Sequence, residues 1–247
     1  IDSKLRLSLG QLCGKITDQL QTLDHNYAHR CFDWDLAQCL WVEGYKDLFN
    51  SQQNRLIRTF INSFKKNYPN YKTLRKSIVH NDANDNNVIV SENLENPKVI
   101  SIIDYGDSIY TQTINDVAIC CSYAIIKVID PLEVALPIIM GYNSSFRLLE
   151  DELKYLYTLI GIRLIITVTK SAINKKTNPL NEYLWISEEA AWDLLRKWSN
   201  IDEEFAHYRF REACGLEPHP GKQDFINVIK HKTTTVNTIF PTLKKVD

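Results

Sequence analysis

His80-Asn81-Asp82-Ala83-Asn84-Asp85-Asn86-Asn87, then Val88-Ile89-Val90, then Val99-Ile100-Ser101-Ile102-Ile103-Asp104-Tyr105-Gly106-Asp107: this stretch decides how the rest of the chain is read. The two β-branched runs are short strands, and the residues from Asn93 to Pro97 between them are turn material, so a hairpin is expected. A further short strand precedes the loop at Ser77-Ile78-Val79. Asp82 and Asn87 stand before the hairpin and Asp104 at its far end. Folding it back brings an acid, an amide and a second acid together as hard oxygen ligands. Such a set suits Mg²⁺, which takes one or two carboxylates and leaves its other positions to water and phosphate oxygens.

Outward from this stretch the sequence is helical. Leu9, Leu12, Ile16, Leu20 and Leu23 recur at three- and four-residue steps, the stripe of an amphipathic helix. Asp33 or Asp35 can cap a second helix that begins at Leu36, and Leu56, Ile57, Phe60, Ile61 and Phe64 mark a third that stops before Pro69. Beyond the hairpin, residues 114–128 are apolar enough for a helix buried most of the way round. Asp116 at its start reads most simply as an N-terminal cap. Residues 131–142 form a short helix and 150–175 the longest one. Within its apolar stretch Arg163 is the single charge and needs a partner if buried, a carboxylate of the central loop being one possibility. Ser187, followed by Glu188 and Glu189, opens a helix in capping-box style, and a last helix ends at Gly215. The fold class is α+β and mostly α-helical. The chain divides into residues 1–218, with a loop at 80–87 and a strand at 99–107, and a tail or linker at 219–247.

Composition narrows the function. With 247 residues and 44% apolar content the chain can bury a substantial core. Its 29 basic and 30 acidic residues leave a net charge of −1, which points to neither a nucleic-acid partner nor an anionic membrane surface. No uninterrupted apolar run approaches the roughly 20 residues of a spanning helix, and Ile1-Asp2-Ser3-Lys4 lacks the order of a signal peptide. The six cysteines form no CxxC pair and have no histidines at zinc spacing, so reduced thiols in a cytoplasmic chain are expected.

Phosphoryl transfer asks a protein for little covalent chemistry. It needs metal to neutralise phosphate charge and a group to orient the attacking hydroxyl. Asp82 suits the second task and Asn87 with Asp104 the first. His80 is placed to hold the loop through backbone carbonyls. Acidic and aromatic residues mixed as in Asp33-Trp34-Asp35 can meet a cation, since a ring face attracts ammonium.

The pattern His80-x-Asp82-x-x-x-x-Asn87 followed by Asp104 resembles the catalytic loop and metal-binding aspartate of the aminoglycoside phosphotransferase and choline kinase superfamily, which has a protein-kinase-like fold. The closer resemblance is to its hydroxylysine kinase-like branch, also found fused to pyridoxal-phosphate-dependent aminotransferases. The branch's loop is similar to H-G-D-A-N-D-x-N and its strand to I-I-D-F-G-D. The likeness extends upstream through Phe32-Asp33-Trp34-Asp35-Leu36-Ala37 and downstream through Cys214-Gly215-Leu216-Glu217-Pro218. It implies an ATP- and Mg²⁺-dependent kinase of a small amino-alcohol or hydroxylated amino acid, with Asp82 as catalytic base, Asn87 and Asp104 as metal ligands and Asp116 as a brace for the loop. The amino-bearing substrate so implied makes Trp34, Asp35, Asp85 and Asp107 the candidates to meet its ammonium. It also implies possible partners in the parent protein, an N-terminal kinase lobe and a C-terminal aminotransferase-like domain. Asn81 departs from the branch, which usually has glycine there, so a left-handed or tightly packed backbone would be slightly altered. The superfamily's N-terminal β-lobe is not legible before Ser77, and the eight glycines form no G-x-G cluster. The chain therefore reads as the C-terminal, helical lobe alone.

Two other readings compete. A calcium loop fails, because Asn87 stands where glycine is required and Asn93 where the bidentate glutamate belongs. A non-catalytic kinase-like module that binds a metabolite or docks on a partner domain is the alternative function. The presence of Asp82, Asn87 and Asp104 together argues against it, and the missing lobe argues for it.

Overall fold

The computed structural model describes residues 3–93 and 95–231. Two helices, α1 (Ser3–Leu20) and α4 (Pro131–Ser145), pack with their backbones almost touching. A Cβ on Gly10 would lie 1.9 Å from the Ile138 carbonyl oxygen, and one on Gly141 would lie 2.1 Å from that of Leu7. Only hydrogen fits at either place.

The centre of the molecule is α5 (Glu150–Thr177), against which α2 (Ser51–Tyr71), α3 (Ile114–Ala124), α6 (Glu188–Ser199) and α7 (Glu203–Ala213) all pack. By length and composition α5 could cross a membrane, unlike the sequence-based expectation. However, 78% of its most apolar window is buried by the other elements, which makes it the core helix of this fold. Its side chains Leu156, Leu159, Ile160, Ile162, Ile165 and Ile166 are completely buried.

Among the described residues, four short strands form two antiparallel pairs. β2 (Val88–Val90) pairs with β3 (Val99–Ile102), setting Val88 opposite Ile102. Asn93 closes the turn by accepting the N–H groups of Glu95 and Asn96 through Oδ1. β1 (Lys76–Val79) pairs with β4 (Ile109–Gln112), setting Val79 opposite Ile109. This second pair was not expected from sequence, and it gives the loop and the turn after β3 a common base.

Several local expectations are corrected. α2 does not stop before Pro69 but runs to Tyr71. A proline so near the C-terminus removes a single hydrogen bond, and the fully buried Tyr71, whose hydroxyl donates to Asn115 Oδ1 at 2.8 Å, anchors the turn. Ser187 makes no capping hydrogen bond. Asp116 does not cap α3 but turns away to other partners described below. Of the two candidate caps before Leu36, Asp35 is the one used, and the segment Leu36–Leu48 is 3₁₀ in character with a kink at Tyr45. Within the expected tail at 219–247, a helix α8 (Lys222–His231) forms; residues 232–247 lie outside the described residues.

Candidate active site

The loop after β1 turns back on itself through hydrogen bonds from its own asparagines. Asn84 N–H donates to the Asp82 carbonyl at 2.8 Å, and Asn87 N–H to the Asn84 carbonyl at 3.1 Å. Asn87 Nδ2 donates to both the Asp82 carbonyl at 2.9 Å and Asp82 Oδ2 at 3.0 Å. The Asn87 amide nitrogen is thus committed to Asp82. Asn87 also hands its own carbonyl to the N–H of Ile103 at 2.9 Å, and the next residue is Asp104. The strand pairing thus brings the end of the loop to the start of the acidic turn.

His80 makes a second tie between the same two segments. Its Nδ1 accepts the Asp82 N–H at 3.3 Å, so the proton sits on Nε2, which donates to the Ile103 carbonyl at 3.1 Å. The ring also meets Tyr105 edge-on at 4.7 Å. Asp104 adopts φ 63°, a left-handed conformation, and accepts the Gly106 N–H at 3.2 Å. Asn81 is left-handed too, at φ 68°. Backbone of this kind in non-glycine residues concentrates where surrounding structure holds it for a purpose. Arg30 fixes the acidic turn from outside, donating to the carbonyls of Gly106 at 3.0 Å and Ser108 at 2.9 Å.

Asp116 reaches the loop from α3. Its Oδ1 accepts the Asn81 N–H at 3.2 Å and its Oδ2 the Thr17 hydroxyl at 3.0 Å, while Tyr142 donates to Thr17 Oγ1 at 2.7 Å. Burial pushes the Asp116 carboxyl upward, against the lowering effect of these donors.

Asp82 is held from the opposite side by α5. Arg163, 1% exposed, donates from Nη2 to Asp82 Oδ1 at 3.1 Å and to the Tyr123 hydroxyl at 2.6 Å, and from Nη1 to the Trp34 carbonyl at 3.2 Å. Its guanidinium lies between the rings of Trp34 at 4.6 Å and Tyr123 at 5.1 Å. Tyr123 in turn donates to Asp82 Oδ1 at 3.2 Å. Burial pushes the Tyr123 phenol up, so it remains a donor.

The remaining sequence candidates separate. Asp107 is half-buried, and its carboxyl is raised first by burial and then by the negative charge of Asp82, with Asp104 adding to it and Arg163 and Arg30 opposing. It therefore belongs to the same electrostatic cluster as Asp82 and Asp104. Asp85 is exposed on the outer turn of the loop. Trp34 lies at the site through its face-on contact with Arg163. Asp35 does not meet the expectation of a substrate-facing carboxylate: it is 3% exposed and accepts the Ala37 N–H, Gln38 Nε2 and the Thr111 hydroxyl. Its burial and these bonds tie the start of the Leu36–Leu48 segment to β4 and keep it from solvent. Sequence reading missed Tyr123 and Arg30, since a tyrosine in an apolar helix and an arginine in a loop carry no distinguishing pattern.

Among the described residues, no three His, Cys, Asp or Glu side chains are grouped to cage a metal. Asn87 Oδ1 and the exposed Asp104 carboxylate offer two hard oxygens on neighbouring segments, which fits a cation that keeps water and phosphate in its remaining positions.

A mostly helical fold with an Asp–Asn loop beside an acidic strand end is a kinase-like arrangement. The phosphotransferase enzyme family matches residues 8–142, more than half of the sequence, and the chain belongs to that family. Within it, the chain is similar to hydroxylysine kinases. It is 28% identical to that of Mus musculus over 208 residues, 79% of this chain and 55% of the mouse protein. It is 24% identical to that of Xenopus laevis over 218 residues, 81% of this chain and 58% of the frog protein. The chain thus spans little more than half the length of these relatives. In three dimensions it is similar to an amicoumacin kinase solved with AMP-PNP, Ca²⁺ and amicoumacin, with a TM-score of 0.54 at 15% identity, over 89% of this chain and 61% of the other. That likeness shows a shared kinase-like fold.

Proposed function

We propose that the protein containing this chain transfers the γ-phosphoryl group of ATP to the hydroxyl of a small amino-alcohol or hydroxylated amino acid, 5-hydroxylysine being the first acceptor to test. The observation that carries this reading is the Asn87 side chain bonded to Asp82 while its carbonyl pairs with Ile103, next to Asp104. Asp82 orients the acceptor's hydroxyl and takes its proton as the oxygen bonds to phosphorus and ADP leaves. Asn87 and Asp104 hold Mg²⁺, which neutralises phosphate charge when bound. Asp107, in the same electrostatic cluster as Asp82 and Asp104, supplies a carboxylate for the substrate's ammonium, and Trp34, one face of which holds the Arg163 guanidinium, has only its other face to offer. His80, Asp116 and Arg30 keep the loop and the acidic turn in register. The similarity to hydroxylysine kinases and to a kinase that binds an ATP analogue supports the choice of co-substrate and acceptor.

The test is ATP- and Mg²⁺-dependent phosphorylation of a panel of hydroxylysine, homoserine, choline and an aminoglycoside by the full-length protein and its Asp82→Asn variant. Turnover of one panel member that Asp82→Asn lowers by about a hundredfold or more, leaving a measurable residual rate, is the expected result. No turnover of any acceptor, with nucleotide still bound, would instead favour a non-catalytic kinase-like binding module.

A further inference from the structure

A carboxylate offers about four lone-pair positions to donors, and the structure fills all four on Asp82. Oδ2 accepts from Asn84 Nδ2 at 2.8 Å and Asn87 Nδ2 at 3.0 Å; Oδ1 accepts from Arg163 Nη2 at 3.1 Å and the Tyr123 hydroxyl at 3.2 Å. An acceptor's hydroxyl can reach this carboxylate only by displacing one donor. Asn84 makes the shortest of the four bonds and is held by its Oδ1, which accepts the Asn86 N–H at 2.8 Å, and Asn87 is pinned by its second bond to the Asp82 carbonyl. Arg163 is pinned by burial, by two aromatic faces and by the Trp34 carbonyl. The Tyr123 bond is the longest of the four, and its hydroxyl keeps Arg163 Nη2 at 2.6 Å as a partner after letting go.

We propose that Arg163 is the positioning residue for Asp82 and that the Tyr123 hydroxyl is a place-holder, occupying on Oδ1 the lone pair that the acceptor's hydroxyl takes in the complex. Arg163 fixes the side chain from below with a planar fork that lysine cannot reproduce. Tyr123 keeps the carboxylate paired while no acceptor is bound, and its departure leaves no charge unpaired because Arg163 stays. The inference rests on the reading of Asp82 as the base.

The test compares Arg163→Met, Arg163→Lys, Tyr123→Phe and Asp82→Asn in the full-length protein, with ATP and hydroxylysine as substrates and thermal unfolding as a check on folding. Arg163→Met is expected to lower kcat by about a hundredfold, within the range of general-base effects, without raising the KM for ATP. Arg163→Lys restores part of that loss. In an Asp82→Asn background Arg163→Met costs little more, because a residue acting through Asp82 has nothing left to position. Tyr123→Phe lowers the KM for the acceptor, since the competing donor is gone. A kcat within twofold of wild type in Arg163→Met, or an equal loss with and without Asp82, would overturn the positioning role. A raised acceptor KM in Tyr123→Phe would overturn the place-holder. Should Arg163→Met fail to fold, Arg163→Lys decides by the same kcat criterion: wild-type kcat overturns the role, and a reduced kcat that vanishes as a difference in Asp82→Asn supports it. Wild-type turnover by Asp82→Asn alone would sink the underlying assignment of the base, whereas a strongly impaired Asp82→Asn beside a fully active Arg163→Met would sink only the role given to Arg163.

Discussion

The carbonyl of Asn87 accepts the N–H of Ile103 at 2.9 Å, so the last residue of the loop and the residue before Asp104 are hydrogen-bonded neighbours. His80 repeats the connection from the other end of the loop, joining the Asp82 N–H to the Ile103 carbonyl through one ring. Ile103 is therefore bonded on both its N–H and its carbonyl to the loop that carries Asp82. A displacement of either segment must be shared by the other.

His80→Phe keeps a ring against Tyr105 and removes both bonds. It leaves the Asp82 N–H and the Ile103 carbonyl without these partners, which is expected to cost about 1–3 kcal/mol of stability. Turnover by the full-length protein should fall more than tenfold because the loop and the acidic turn lose their shared reference. Urea unfolding and steady-state kinetics measure the two effects; unchanged kinetics would show that the strand pairing alone sets the register.

Asn81 combines a left-handed backbone with a completely buried amide whose Oδ1 and Nδ2 have no hydrogen-bond partner. Asn81→Gly relieves both, since glycine adopts this φ freely and brings no polar atoms. The variant is expected to be about 1 kcal/mol more stable in urea, with an unchanged m-value. A loss of stability would mean that filling the space outweighs the unpaired amide.

Burial raises the Asp116 carboxyl above its ordinary 3.8. The folded chain then holds this proton over a pH interval in which the unfolded chain has lost it. The contribution is fully present below the unfolded value and is lost as pH rises through the folded one. Unfolding free energy of the wild type relative to Asp116→Asn should accordingly decline as pH is raised from acid towards neutrality. A difference that grows with pH would reverse the sign and point to a carboxylate stabilised by its donors.

Gly141 faces the Leu7 carbonyl where α1 and α4 cross. Gly141→Ala places a methyl inside that contact and must push the helices apart, at an expected cost of about 3 kcal/mol or more, beyond ordinary overpacking because backbone cannot rotate aside. Thermal unfolding checks it, and a shift of less than a degree or two would show the crossing to be looser than the structure has it.

The sequence carried the hairpin, the helical series and the neighbourhood of Asp82 and Asn87, which are hydrogen-bonded to each other, because each depends on local pattern: β-branched runs, a 3.6-residue stripe, and polar residues in a short loop between strands. It even marked Arg163, a lone charge in an apolar helix, as needing a carboxylate, and Asp82 is that partner. What it could not carry depends on distant pairing. β4 is four residues, Ile109–Gln112, whose Ile, Tyr and Thr are strand formers, but so short a run directly after the Asp104 turn does not announce its partner, and β1 lies about thirty residues earlier in the chain. Asp35 and Asp116 are both aspartates at helix starts, yet one caps its own helix and the other bridges Asn81 and Thr17 from separate elements. Nothing local distinguishes them.

The most direct measurement is an anomalous-scattering map of the full-length protein crystallised with Mn²⁺ and a non-hydrolysable ATP analogue. The expected result is a manganese peak bound by Asn87 Oδ1 and the Asp104 carboxylate at about the 2.0–2.1 Å of Mg²⁺ coordination, with the γ-phosphate facing Asp82. A metal bound elsewhere, or nucleotide seated away from these three residues, would contradict the account.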